Sequence, residues 1–312
     1  MKGFDSLVAA GVVSERVSLG PLTTYKFGGP ARWYAEARSD GELSAIMAAR
    51  RAAGVDLLIL GRGSNLLVAD AGYGGIVVRL AGDFAAVSFG EDGTITAGGA
   101  VSLPILARQA AKAGRGGLEW YVGIPGSVGG AVRMNAGGHG SDTGEWLVDA
   151  AVMDAGTGTV GARDVAALDL SYRHSNLTDT DIVLSARFNS IARDPAESEA
   201  LIREITRWRR EHQPGGTLNA GSVFKNPPGD AAGRIIEEVG LKGYRCGGAA
   251  VSSRHANFFV AEAGACAQDI YDLVWAVRRR VGEAVGVWLE PEIRFAGDFA
   301  ANDDAQYPQE AR

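Results

Sequence analysis

LLILGRGSNLL, residues 57–67, carries a hydrophobic strand straight into Gly61-Arg62-Gly63-Ser64-Asn65 and back into apolar residues. Such a turn can aim several backbone N–H groups, the Ser64 hydroxyl and the Asn65 amide at a diphosphate. It is not the dinucleotide fingerprint, because Leu66 stands where the third glycine belongs and no helix pattern follows. A second stretch, GIPGSVGGAVRMNAG at 123–137, combines its glycines with Pro125 on a tight path of small side chains that leaves backbone donors free. Ser127, Asn135 and Gly137 add polar groups able to contact a nucleotide. Each stretch alone is compatible with ordinary turns. Two long ones in the same half of a chain point to a large ligand pressed against main chain.

Composition agrees with that reading. The 312 residues include 44 glycines, about twice the usual share, and these cluster at separate turns instead of forming a linker or a repeat. A hydrophobic share of 46% and a charged share of 22% describe an ordinary globular chain long enough for two or three domains. The net charge of −6 argues against a nucleic-acid protein, which needs a basic face. No apolar run reaches the roughly 18 residues of a membrane span, and the acidic N-terminus has no signal-peptide character. Cys246 and Cys266 make no disulfide framework, and neither they nor His139, His174, His212 and His255 have metal-ligand spacing, so no metal is expected. A cytoplasmic monomer is the expectation, with no nucleic-acid or membrane partner.

Periodicity predicts helices over 40–51, from a Ser102 cap to 113, from Asp194-Pro195 to about 211, and over 231–239 and 267–285. The last shows Ile270, Leu273, Val274, Val277 and Val281 as one apolar stripe. Strands are expected at 57–60, 76–80, 94–97, 150–154, 182–188, 249–252, 258–261 and 287–295. The polar tail 298–312 reads as disordered.

The segments LGRGSNLL, GLEWYVGIPGSVGGAVRMNAGG, SYRHS, AGSVFKNP, GAAVSSRHANFFV and VWLEPEIRFAG occur in this order. Together, over roughly 21–297, they resemble the signature set of the UDP-N-acetylenolpyruvoylglucosamine reductases. The resemblance implies an α+β protein: a vanillyl-alcohol-oxidase/PCMH-type FAD-binding fold in two subdomains plus a C-terminal α+β substrate-binding domain. It divides the chain into 1–80 and 81–207 for FAD, with the final strand 287–297 joining the latter, and 208–286 for the substrate. FAD is implied along Gly61, Gly63, Ser64, Asn65 and Leu66, and along Ile124, Pro125, Gly126, Ser127, Gly129, Asn135 and Gly137.

The implied reaction is a conjugate reduction in peptidoglycan precursor synthesis, in which NADPH reduces FAD and hydride then reaches C3 of an enolpyruvyl sugar nucleotide. NADPH and that substrate would use one site in turn. Charge developing at C2 and its carboxylate requires a cation or acid there and a proton donor beside C2. By resemblance Ser222 donates that proton, Arg173 binds the carboxylate, Glu292 completes the catalytic set, and Lys225, Asn226 and Arg254 contact the substrate. Alone, each reads as an ordinary turn or surface residue, and strand alternation does not choose between Glu290 and Glu292. Arg254 stands where a lysine is expected, and the absence of tyrosine between Tyr172 and Tyr244 matches the form lacking a substrate-capping tyrosine loop. Two other readings use the same features: a flavin oxidoreductase of this fold with another substrate, and an inactive nucleotide-binding regulatory paralogue.

Overall fold

In a computed structural model describing residues 3–306, the chain divides into two compact units, each assembled from separated segments. The first comprises residues up to Val17, Arg32–Arg62 and Gly75–Arg209; the second comprises Ser18–Ala31, Gly63–Gly74 and the chain from Arg210 onward. Among the described residues no helix is long and apolar enough to cross a membrane, and no group of three or more His, Cys, Asp or Glu could hold a metal ion.

The first unit has two cores. A four-stranded sheet runs in the order Val13–Ser18, Pro30–Ala37, Tyr73–Leu80, Leu57–Ile59. The helix Asp40–Ala53 buries Leu43, Ile46 and Met47 within that core. Ser39 Oγ accepts from Glu42 N at 3.3 Å, Glu42 Oε2 accepts from Arg38 N at 2.8 Å, and Gly54 ends the helix at a φ of 64°, a side-chain N-cap answered by a left-handed stop. The second core lies on an all-antiparallel sheet ordered Val160–Asp164, Leu147–Asp154, Asp181–Phe188, Ile95–Gly98, Val87–Phe89. Helices Leu103–Lys112 and Val128–Met134 bury their apolar faces in it. Ser102 occupies the expected cap position of the former but makes no side-chain cap bond; its main chain bridges Ser127 instead.

The second unit gathers a three-stranded antiparallel sheet (Arg245–Cys246, Ala249–Val251, Phe259–Ala261) and helices Ala232–Glu238 and Ala267–Val285. Every residue of the predicted stripe, from Ile270 to Val281, is buried. The division at residue 80 therefore gives way to a discontinuous one, because Tyr25 and Leu67 are buried in this C-terminal core. The final strand also departs from expectation. Only Arg294–Ala296 is regular, and it pairs in parallel with Leu66–Val68 inside the second unit, not with 81–207. Pro291 has no N–H to extend the ladder and makes only an isolated bridge with Phe224. Asp70 fastens the same segment to the long helix, its carboxylate accepting from Ala267 N at 2.9 Å and Gln268 N at 3.0 Å. At Gly72, with φ of 90°, a Cβ would lie 2.0 Å from Pro30 O, so the crossing of these loops admits no side chain. Within the expected tail, Phe299 stacks on Tyr271 at 4.4 Å and Asn302 Nδ2 donates to Asp272 at 2.7 Å. The rest of the predicted disordered tail, 307–312, lies outside the described residues.

One buried carboxylate holds the approach to the second glycine stretch. In the turn Glu119–Gly123, Glu119 Oε1 accepts from Arg193 Nη1 at 2.7 Å and Ser198 Oγ at 2.6 Å, and Oε2 from Gly117 N at 2.8 Å. Burial raises this carboxyl, but the hydrogen bonds from Ser198, Gly117 and Arg193 outweigh it and hold the group below its ordinary value. A depressed folded value contributes stability above the unfolded pKa that disappears as pH falls through the folded one. Glu119→Gln is expected to destabilise the protein by about 1–3 kcal/mol at neutral pH. Urea midpoints measured across pH should show the difference narrowing below about pH 4.

Candidate functional site

The first glycine turn leaves the strand Leu57–Ile59 through Leu60, whose N–H donates to Val78 O at 2.8 Å. None of the next five backbone N–H groups, Gly61 to Asn65, donates a hydrogen bond among the described residues, although Gly63 is buried and Gly61, Ser64 and Asn65 are half-buried. A run of unpaired main-chain donors suits an anion. Gly63, at φ of 61°, has Leu22 O where a Cβ would be (2.4 Å). The Asn65 amide is not aimed outward as expected; its Nδ2 donates to Glu292 O at 2.9 Å, and Asn65 O accepts from Arg294 N at 3.1 Å. Leu66 is a buried member of the strand Leu66–Val68.

The second glycine stretch behaves differently. Its main-chain donors are largely consumed within the protein: Ile124 N bonds Tyr121 O, Gly126 N bonds Ile124 O, and Gly129 N bonds Gly99 O. Ser127 caps the helix Val128–Met134, its Oγ accepting from Gly130 N at 3.3 Å. A Cβ on Gly61 would lie 2.5 Å from that same Oγ, so the two stretches meet within the first unit. Pro125 is exposed and Ile124 half-buried beside them. Asn135 ends the helix at φ of 38° and is buried, and Arg173 Nη2 donates to Gly137 O at 2.8 Å.

In the second unit, residues 222–225 are threaded between two other segments. Ser222 bridges Phe258, Val223 N donates to Asn257 O at 2.8 Å, and Glu292 N donates to Val223 O at 2.7 Å. Asn257, 2% exposed, clamps Phe224 with its side chain: Oδ1 accepts from Phe224 N at 2.9 Å and Nδ2 donates to Phe224 O at 2.8 Å. The Ser222 hydroxyl is half-buried and makes no hydrogen bond among the described residues. Lys225 N donates to Glu290 O, and its ammonium pairs with Glu290 at 2.7 Å. Glu290 is two-thirds exposed there, whereas Glu292 is half-buried. Ser222 and Lys225 thus share the threaded segment and main-chain bonds set Glu292 alongside it, while Arg173 belongs to the first unit.

Asn226 is exposed, and its Oδ1 accepts from Ala232 N at 3.0 Å at the start of Ala232–Glu238. Arg254 lines a separate cavity of about 390 Å³ with Pro214, Thr217, Arg245 and Ser252. Its Nη1 donates to the carbonyls of Arg210 and Gln213. His255 packs edge-on against Phe258 and accepts from Asn257 N at Nδ1, and burial holds its imidazole below the ordinary value. Sequence reasoning missed Asn257 and the Lys225–Glu290 pair. The available signal for Asn257 was a single amide inside the apolar run Ala256–Phe259.

Residues 31–161 match the family described as FAD binding domain, and residues 213–296 match UDP-N-acetylenolpyruvoylglucosamine reductase, C-terminal domain. The UDP-N-acetylenolpyruvoylglucosamine reductase of Synechococcus sp. (strain JA-3-3Ab) is 41% identical over 295 residues, 93% of each chain. That of Synechococcus sp. (strain RCC307) is 44% identical over 294 residues, 93% of this chain and 95% of the relative. The crystal structure of UDP-N-acetylenolpyruvylglucosamine reductase from Thermus caldophilus is similar with a TM-score of 0.77 at 38% identity, covering 91% of this chain and 98% of that one. The expected α+β architecture, a PCMH-type FAD-binding fold followed by a C-terminal domain, is present.

The contact at Gly61 yields a direct test. Gly61→Ala sets a methyl group 2.5 Å from Ser127 Oγ and is expected to weaken flavin retention about tenfold or more, the equivalent of a modest overpacking strain. Gly61→Ala combined with Ser127→Ala removes the offending oxygen and should recover part of the loss. Bound-flavin absorbance during FAD titration reads both.

Proposed function

The chain belongs to the UDP-N-acetylenolpyruvoylglucosamine reductase family, and from that premise we propose that it reduces UDP-N-acetylglucosamine enolpyruvate to UDP-N-acetylmuramate with NADPH, for peptidoglycan synthesis. The chemistry supplied by bound FAD is hydride relay from NADPH to C3 of the enolpyruvyl group. The unpaired main-chain donors of Gly61 to Asn65 would hold its diphosphate, and the small-residue path from Ile124 to Gly130 would lie along the rest.

The observation that carries the reading is Ser222. Its hydroxyl is half-buried without a protein partner, on main chain fixed from both sides by Asn257 and Glu292. A hydroxyl so held can deliver a proton at one atom, and C2 of the substrate needs one as hydride adds at C3. An isolated serine is a poor acid, and the Lys225 ammonium three residues along supplies positive charge on the same segment. Arg173 would bind the substrate carboxylate through its planar fork and stabilise charge spreading there. Of the two acids on the last segment, Glu292 is assigned to the site, since Glu290 is exposed and paired with Lys225. Asn226 and Arg254 would contact the sugar nucleotide. NADPH would occupy the substrate's place in turn. The enzyme would act as a cytoplasmic monomer on small molecules, in keeping with its net charge of −6.

Ser222→Ala is expected to leave bleaching of the flavin by NADPH at the wild-type rate. Anaerobic recovery of colour on adding the enolpyruvyl sugar nucleotide should slow about 10²–10⁴-fold; recovery at the wild-type rate would remove Ser222 from the mechanism. In the same assay Glu292→Gln should slow that recovery strongly. Glu290→Gln should change it by no more than about fivefold, the scale of an exposed ion pair.

A further inference from the structure

Asn135 and Gly137 lie in the stretch that resemblance ties to the flavin, yet their contacts run elsewhere. Asn135 is 3% exposed, and both ends of its amide are engaged: Nδ2 donates to Ser171 O at 2.9 Å and Oδ1 accepts from Gly144 N at 2.9 Å. Ser171 opens a tight turn closed by reciprocal main-chain bonds with His174, at 3.2 and 3.1 Å. Arg173 sits inside that turn with a left-handed φ of 54°. Its Nη2 donates to Gly137 O at 2.8 Å, and a Cβ on Gly137 would lie 2.9 Å from its Nη1.

We propose that Asn135 and Gly137 are positioning residues that set the guanidinium of Arg173 for the substrate carboxylate and do not themselves hold the flavin. The proposal rests on the assignment of Arg173 given above. Bidentate recognition of a carboxylate needs the plane of the guanidinium fixed, and a long side chain on a turn otherwise loses that order to rotamer entropy. Within the turn the guanidinium lies over the Tyr172 ring, 5.1 Å from its centroid, but Ser171, Tyr172 and His174 are all exposed, so the buried anchor is Asn135. Asn135 anchors the first carbonyl of the turn, and Gly137 offers a carbonyl to the guanidinium while leaving room for its other arm. The end of the helix Val128–Met134 and the arginine turn are thereby one mechanical piece.

Asparagine and aspartate both tolerate a left-handed helix end, so Asn135→Asp preserves the backbone and the bond from Gly144 N while setting an oxygen against Ser171 O. Gly137→Ala crowds the guanidinium, along with Asp142 Cβ at 2.9 Å and Ser141 O at 3.0 Å, and serves as the second variant if Asn135→Asp does not fold, with circular dichroism as the check. Each is made in the holoenzyme, alone and with Arg173→Ala. The expected result is FAD content and NADPH bleaching rate within about twofold of wild type, and a KM for the enolpyruvyl sugar nucleotide raised about tenfold, the scale of one displaced charge-assisted bond. In the Arg173→Ala background the same substitutions should change kcat/KM by less than about threefold, because coupled residues act as a unit. Lost FAD with the fold intact, or losses that simply multiply with that of Arg173→Ala, would overturn the positioning role. An Arg173→Ala enzyme with unchanged kcat/KM would instead overturn the reading beneath it.

Discussion

The second unit depends on the main chain of Phe224, both of whose polar groups are consumed by the buried amide of Asn257. An amide side chain here takes the place of a neighbouring strand: it supplies one acceptor and one donor where a regular ladder would supply a peptide. Residues 223–225 thereby gain a register against 290–292 as well as against 257–258. Their side chains are then presented from a rigid base although no regular strand runs through them. Removing one partner of such a pair leaves buried donors and acceptors unsatisfied, which is far costlier than the net worth of the bonds.

The same economy recurs wherever side-chain amides join distant segments. Asn65 ties the first glycine turn to residues 292–294, and Asn135 ties a helix end to the turn bearing Arg173. Glycines do the complementary work at positions such as Gly61 and Gly72, where main chain or a capping hydroxyl approaches too closely for any Cβ. The abundance of glycine is therefore spent largely on protein meeting protein. The run from Gly61 to Asn65 differs in that none of its five main-chain donors is paired among the described residues.

Long helices were legible because their apolar period is local. The range 267–285 matches Ala267–Val285, and Pro195–His212 extends one residue beyond the expected end. Partners across long separations were not. Alternation in 287–295 identifies buried Leu289 and Ile293, but it says nothing of pairing with Leu66–Val68, nor that Pro291 would interrupt the ladder. The discontinuous units were hidden for the same reason, since Tyr25 and Leu67 carry no local sign of the C-terminal core they enter. At the site, the residue types of Ser222, Arg173 and Glu292 had meaning only through the ordered motif set. The engagement of Asn65 and Asn135 with main chain was invisible, because a polar side chain in a glycine turn looks the same whether it faces a ligand or a carbonyl. The stacking of Phe299 on Tyr271 was equally hidden, because composition alone placed that aromatic in a polar tail.

The proposed activity requires the bound flavin to take hydride from NADPH and pass it to an enolpyruvyl ether that follows NADPH into the same place. Its most direct test is an anaerobic single turnover: the purified holoenzyme is titrated with NADPH until the flavin is bleached, and one equivalent of UDP-N-acetylglucosamine enolpyruvate is then added. The account predicts full return of the oxidised spectrum with stoichiometric appearance of UDP-N-acetylmuramate. A spectrum that stays bleached until oxygen is admitted, with the sugar nucleotide recovered unchanged, would contradict it.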